Sequence, residues 1–169
     1  MVQSHGDAVV RISIIGAAAL IGLAVSVHAQ DLHAADAAAY CPDLKRVVTL
    51  ALTKEKFSTI VGTPREGNFF DTTLALTGWR ECSVYGDRIY TCDYQSFGST
   101  EEAAKIRAAI IDEIKTCLGE GWVEDDDRSS STYAVVRSSR FPVSMTIATN
   151  ADGTDSHVVR LTLFLRSGG

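Results

Sequence analysis

Five residues around a predicted hairpin between Leu74 and Phe97 have the side chains to bind a ligand. Alternation along the two strands places all of them on one face: Trp79, Glu81, Tyr85, Asp93 and Phe97. Aromatic side chains gathered on an exposed face are typical of interaction surfaces. We therefore predict that this outer face binds a partner. The same pattern also fits aromatic rings covered by a loop and carboxylates that point to water.

Two of these residues form a possible carboxylate pair. A three-residue loop over Gly86-Asp87-Arg88 puts Glu81 directly opposite Asp93. Like charges directly opposed destabilise a sheet, so we expect a neighbouring arginine, a cation or a partner protein to offset them. Two carboxylates roughly 5 Å apart are also the catalytic groups that a small hydrolase with carboxylate chemistry uses. No motif nearby implies a substrate cleft.

The sequence offers few residues for any other kind of catalysis. His157 is the only histidine of the predicted folded part, and no motif ties it to a serine or cysteine. Nucleophile-elbow, P-loop and zinc-protease patterns do not occur. The acidic runs 124–127 and 150–155 fit a solvated loop and a hairpin turn better than a calcium loop. We therefore favour a non-enzymatic protein with no catalytic residue, no metal and no cofactor.

The four cysteines, Cys41, Cys82, Cys92 and Cys117, predict two disulfide bonds. The hairpin register puts Cys82 opposite Cys92, within reach of a bridge. Cys41 at the start of one predicted helix then pairs with Cys117 near the end of another. The alternative, Cys41–Cys82 with Cys92–Cys117, stays open. Without a C-x-x-C motif, the spacing favours structural bridges over a redox pair or a zinc site.

The first 29 residues have the form of a secretory signal peptide. Arg11 precedes an uncharged run from Ile12 to Val27, and Val27-His28-Ala29 presents a cleavage site. The run is short for a membrane span, which needs roughly 20 residues, so we favour cleavage over a membrane anchor. We predict a bacterial protein, periplasmic or secreted, with no membrane span after cleavage.

Charge and size narrow the class of partner. Removing 29 of the 169 residues leaves 140, enough for one domain with its own core. The removed part holds Asp7 and Arg11, so the net charge stays at −5. An acidic chain without a basic patch argues against nucleic acid and against anionic membrane surfaces. The expected partner is an envelope or extracellular protein.

The predicted helices and strands that position these residues make up a single α+β domain over 40–169. A flexible lead-in over 30–39 precedes this domain. The element order is α-β-β-α-β-β-β. Hairpin-length connections predict an antiparallel five-stranded sheet with two helices on one face, stapled by the disulfides.

Local signals mark the helices. Pro42 suits the first position of the first helix, whose apolar spacing continues to Val61. A capping box at Ser99 begins the second helix, which runs to Leu118. The stretch 65–71 is predicted to be a loop, and Trp122 begins an irregular acidic stretch. The last three strands are predicted over 132–137, 141–149 and 157–166.

Three functions remain open on this basis. We favour a binding module that uses the outer face of the first hairpin. The second is a hydrolase acting through Glu81 and Asp93, which requires a concave pocket around them. The third is a structural envelope protein without a discrete site, which requires Trp79, Tyr85 and Phe97 to be covered.

Overall fold

The computed structural model describes residues 29–166, with side chains from residue 39 onward. Two helices and eight strands have these bounds: α1 (Ala29–Ala51), β1 (Val61–Pro64), β2 (Phe69–Thr72), β3 (Arg80–Tyr85), β4 (Ile89–Phe97), α2 (Thr100–Leu118), β5 (Trp122–Glu124), β6 (Tyr133–Ser138), β7 (Val143–Ala151) and β8 (His157–Leu165). Among these residues no helix is long and apolar enough to cross a membrane. Residues 1–28 of the predicted signal peptide lie outside the described part, so it stays a prediction.

All eight strands belong to one antiparallel open sheet, in the order β1-β2-β3-β4-β8-β7-β6-β5. The prediction of five strands is therefore wrong, and so is the predicted order α-β-β-α-β-β-β, because four strands follow each helix. The additional strands β1, β2 and β5 have only three or four residues each. Strands so short show no readable alternation. β2 and β5 lie in stretches that we interpreted as loops.

The first helix differs from its prediction at both ends. Pro42 lies inside α1, which begins at Ala29, so the backbone of the predicted lead-in is helical. α1 ends at Ala51, ten residues before the predicted end at Val61. The 3-10 helix Lys56–Ile60 follows and buries Phe57 and Ile60. A 3-10 turn keeps residues three apart on one side, which is why the apolar spacing resembled a continuing helix.

The second helix follows its predicted signals. The Ser99 hydroxyl accepts a hydrogen bond from the Glu102 N–H at 3.1 Å and caps the helix. Such a cap stabilises a helix by about 1 kcal/mol. α2 packs against β4, β7 and β8, and α1 packs against α2. Ile110 and Ile114 of α2 are fully buried in the same core cluster as Leu44 of α1.

The sheet has one face covered by the helices and one without them, which we call the open face. β8 shows the division: Leu161 and Leu163 are completely buried in the core, as predicted, whereas Arg160 is exposed. Side chains alternate between faces along a strand. Burying each leucine contributes about 1.5–3 kcal/mol, so the covered face holds the domain together.

Two disulfide bonds add to this core, in the pairing favoured above. Cys41–Cys117 joins α1 to α2 with 5.8 Å between Cα atoms, and Cys82–Cys92 joins β3 to β4 with 4.0 Å. No cysteine of the described residues is free. Disulfides persist in oxidising compartments, so both bridges are consistent with an exported protein.

Candidate functional site

Strand register aligns three rows of side chains across the open face. The first row is apolar: Phe69, Tyr85, Ile89 and Phe164. The second carries hydroxyls: Ser83, Thr91, Thr162 and Thr146. The third is charged: Arg80, Asp93 and Arg160. The side chains on this face therefore change from aromatic and apolar, through hydroxyl-bearing, to charged across three neighbouring rows.

A cavity of about 310 Å³ lies where these rows meet the β1–β2 loop. Its volume is at the lower end of the range typical of ligand sites. The lining residues come from five elements or loops: Arg65, Glu66, Phe69, Glu81, Ser83, Thr91, Asp93 and Arg160. Glu81 and Asp93 are thus the two predicted site residues that the structure brings together in one cavity.

A β-bulge aims Glu81 at this cavity. Ser83 pairs with Thr91, but Arg80 rather than Glu81 pairs with Asp93. Glu81 takes the left-handed backbone conformation, with φ 51°. The prediction that Glu81 lies directly opposite Asp93 is therefore wrong, because the bulge inserts one residue into β3. Bulges re-aim side chains beside functional sites, and a non-glycine residue in this conformation costs about 1–3 kcal/mol.

Asp93 is held in a two-pronged ion pair with Arg160 on the neighbouring strand. Nε and Nη2 of Arg160 donate to the two carboxylate oxygens at 2.6 and 2.8 Å. These hydrogen bonds raise the pKa of Arg160, with smaller contributions from the charges of Asp93, Glu81 and Asp152. An arginine on a neighbouring strand was one of the three partners that we expected for this acidic pair, and Arg160 fills that role for Asp93. With both oxygens engaged, Asp93 is poorly placed to act as a base or nucleophile.

Two other carboxylates in the cavity lack such partners. The side chains of Glu66 and Glu81 form no hydrogen bond or close ion pair with any residue the structure describes, although the charge of Glu81 acts on Arg160. Arg65 is bound to Asp71 on β2, which neutralises it. The cavity therefore places two carboxylates without a hydrogen-bonded cation beside the exposed ring of Phe69, and Tyr85 packs next to Phe69 with 5.1 Å between the ring centroids.

Trp79 and Phe97 lie in the core and not on the outer face, so their predicted place there is wrong. Trp79 is 7% exposed and packs edge-on against Tyr40 and Tyr94, and Phe97 stacks on Tyr94. Trp79 lies in a turn before β3, where its backbone N–H donates to the Leu76 carbonyl at 3.0 Å. β4 has a second register shift between Asp93 and Ser96. Both irregularities break the alternation on which the prediction rested.

The sequence analysis missed Glu66 and Phe69 as residues of the site. Phe69 lies in β2, inside a stretch interpreted as a loop, and its side chain is 39% exposed. The adjacent pair Phe69-Phe70 was the available signal, since two aromatic residues are unusual in a solvated loop. Tyr85, the one predicted aromatic residue that does reach the outer face, is 40% exposed.

Other candidate chemistry lies elsewhere. His157 lies 3.0 Å from the Thr100 hydroxyl at the start of α2 and does not line the cavity. Asp152, in the loop once weighed as a calcium site, is bound to Arg80 and Ser96. Across residues 29–166, no three His, Cys, Asp or Glu side chains are grouped to hold a metal ion.

Comparison with protein-family models, with curated proteins and with solved structures finds no match to this chain. The function must therefore be inferred from the site itself.

Proposed function

We propose that the protein is an exported, non-enzymatic binding module, periplasmic or secreted. Its open-face cavity binds a segment of an envelope or extracellular protein that presents a basic side chain beside an aromatic or apolar one. The observation that carries the proposal is the meeting of two unpartnered carboxylates, Glu66 and Glu81, with the exposed Phe69–Tyr85 ring pair.

Charge complementarity selects the chemistry of the partner. The carboxylates of Asp93 and Asp71 are already matched by Arg160 and Arg65. A lysine or arginine from a partner gains charge-assisted hydrogen bonds to Glu81 and Glu66 without displacing either internal pair. The ring pair supplies apolar area next to this acidic point, which is the composition of an interaction hot spot.

The two other functions receive less support. A hydrolase acting through Glu81 and Asp93 has the concave site it needs, but Arg160 occupies both oxygens of Asp93. A structural protein without a site requires all three predicted aromatic residues to be covered. Trp79 and Phe97 are covered, while Tyr85 and the neighbouring Phe69 remain exposed.

The experiment is an NMR titration of the isotope-labelled, oxidised protein with N-acetyl-arginyl-phenylalanine amide. We expect saturable shifts at the backbone amides of β3, β4 and the β1–β2 loop. The matched dipeptide with glutamate in place of arginine should not bind, because it repels both carboxylates.

Two variants make this titration specific to the cavity. Glu81→Gln keeps the shape of the side chain and should weaken binding about tenfold, since a charged hydrogen bond contributes about 1.5–3 kcal/mol. Glu120→Gln removes an exposed carboxylate at the start of the α2–β5 connection and should leave binding unchanged. Equal affinity of the arginine and glutamate dipeptides, or of the two variants, would refute the proposal.

A further inference from the structure

A second cavity, of about 420 Å³, lies at the end of the sheet where β3 turns into β4. It is lined by Ala51, Leu52, Thr53, Lys56, Arg88, Pro142, Leu165 and Arg166, none of which lines the first cavity. The pairings Tyr85–Ile89, Ile89–Phe164 and Val143–Leu165 bring these strand ends together. The residues that follow α1 form its remaining wall.

The charge of this cavity is opposite to that of the first. Among the described residues, three cations and no acidic residue line it, so the expectation of a chain without a basic patch is wrong at this position. Asp87 stands beside it, 3.0 Å from the Lys56 ammonium and 3.9 Å from Arg88. One carboxylate cannot neutralise three cations, so an excess of positive charge remains on a chain whose overall net charge is −5.

The three cations differ in how firmly they are held. Nη2 of Arg166 donates to the carbonyls of Ser138 and Phe141 at 3.0 and 2.7 Å, which fixes its guanidinium against the cavity wall. Its Nε is buried without a partner among the described residues. Arg88 is 65% exposed at the turn. A fixed and a movable arginine can together grip an anion, since guanidinium groups match phosphate and carboxylate oxygens.

Apart from Thr53, whose hydroxyl donates to the Leu50 carbonyl at 2.9 Å, the rest of the lining is apolar. Ala51, Leu52, Pro142 and Leu165 contribute only hydrocarbon, and Leu52 is 41% exposed. An exposed leucine gains free energy when an apolar group covers it. Because two arginines lie beside Leu52, a short alkyl chain attached to an anionic group matches both features of this surface. The volume lies within the range of small-molecule sites, about 300–1,000 Å³.

We infer that this basic cavity is a binding site for an anionic amphiphile: a phosphate or carboxylate headgroup held by Arg88, Arg166 and Lys56, with a short alkyl group against Leu52 and Leu165. The site is separate from the open-face cavity and does not depend on the function proposed for it. The headgroup chemistry is shared by free small acids and by membrane phospholipids.

The test is an NMR titration of the oxidised protein with hexyl phosphate below its micelle concentration, beside inorganic phosphate and hexanol. We expect hexyl phosphate to bind saturably and at least fivefold more tightly than inorganic phosphate, with shifts at Leu52, Arg88 and Leu165. Hexanol should bind too weakly to saturate. Failure of hexyl phosphate to saturate, or an affinity no greater than that of inorganic phosphate, would overturn the inference.

Three variants distinguish the contribution of the headgroup contacts to affinity from that of the alkyl-chain contacts. Arg88→Gln should weaken hexyl phosphate about fivefold, whereas Arg128→Gln, an equally exposed arginine on the β5–β6 connection, should not. Leu52→Asn should lower the affinity for hexyl phosphate to that for inorganic phosphate. Equal effects of the two arginine variants would contradict the assignment of the headgroup to this cavity.

Sedimentation with phosphatidylglycerol vesicles then identifies the source of the ligand. If wild-type protein binds the vesicles and the Arg88→Gln variant does not, the site takes a membrane phospholipid. If hexyl phosphate binds and the vesicles do not, the site takes a free amphiphilic acid. Both results support the site, and vesicle binding that is equal in the Arg88→Gln and wild-type proteins, without hexyl phosphate binding, rejects it.

Discussion

The two faces of the sheet differ in how regular their strands are and in which side chains they carry. On the covered face, strict alternation along β8 buries Leu161 and Leu163 completely under the helices. On the open face, hydroxyl, charged and aromatic residues stand in rows, and the cavity depends on a bulge at Glu81. The covered face is built from regular strands, whereas the candidate site is built from their irregularities.

This difference shows where stability and binding reside. Apolar burial and both disulfide bonds lie on the covered side or at its edge, so changes there should alter the free energy of unfolding. The open face contributes one ion pair, of which only the Asp93 member is buried, and little apolar area. Changes there should alter binding more than stability, and the following predictions test that division.

The largest effect is expected from the Cys41–Cys117 bridge. Replacing both cysteines by alanine opens a loop with a sequence separation of 76 residues and should lower the free energy of unfolding by roughly 4.5 kcal/mol. The Cys82–Cys92 bridge, with a separation of 10, should cost roughly 3 kcal/mol. Urea unfolding measures both, and a larger loss for the short bridge would contradict the loop-closure argument.

Neighbouring residues on β8 compare the two faces directly. Leu161→Ala leaves a cavity in the core and should destabilise the protein by about 2–5 kcal/mol. Thr162→Ala on the open face should cost less than about 1 kcal/mol, through loss of its 3.2 Å contact with Thr91. Similar midpoints of urea unfolding for the two variants would show that the faces do not differ as described.

The ion pair of the open face should have a smaller and separable effect. Asp93→Asn and Arg160→Gln each break the two-pronged contact, and the double variant tests whether their costs add. We expect a coupling energy of about 1 kcal/mol, because Arg160 is partly solvated. Additive effects would indicate that the pair contributes nothing beyond its separate members.

The smallest effect concerns acid stability and comes from Asp152 in the β7–β8 loop. A hydrogen bond from Ser96, followed by Arg80, holds the pKa of Asp152 below its usual value. A lowered pKa in the folded state gives stability that is present above the unfolded pKa and lost as the pH falls through the folded one. Between pH 4 and pH 2 the wild type should therefore lose slightly more stability than Asp152→Asn. Parallel acid-unfolding curves would show that Asp152 is not stabilised by these contacts.

Regular features of the sequence predicted regular features of the fold. The alternation of Leu161 and Leu163, the cap at Ser99 and the loop at Gly86–Arg88 all correspond to the structure, and that loop led to the Cys82–Cys92 bridge. Each depends on neighbours in the chain, so local chemistry suffices to predict it.

The site depended on features that local patterns do not carry. Strands β1 and β2 are too short to alternate, and they bring Phe69 beside Tyr85 only through pairing. The bulge at Glu81 shifts the register by one residue, and no glycine marks it. Trp79 is buried because it packs against Tyr40 of α1, which is distant from it in the sequence. Hence two of the five predicted binding residues lie in the core.

The central claim, that the open-face cavity is the binding site, is tested most directly by capture from an envelope extract with the oxidised protein. Wild type, Glu81→Gln and Glu120→Gln are compared side by side, and captured proteins are identified by mass spectrometry. The account predicts a partner with an exposed basic segment that is held by wild type and Glu120→Gln and lost from Glu81→Gln. A partner held equally by all three proteins, or none held by any, would contradict it.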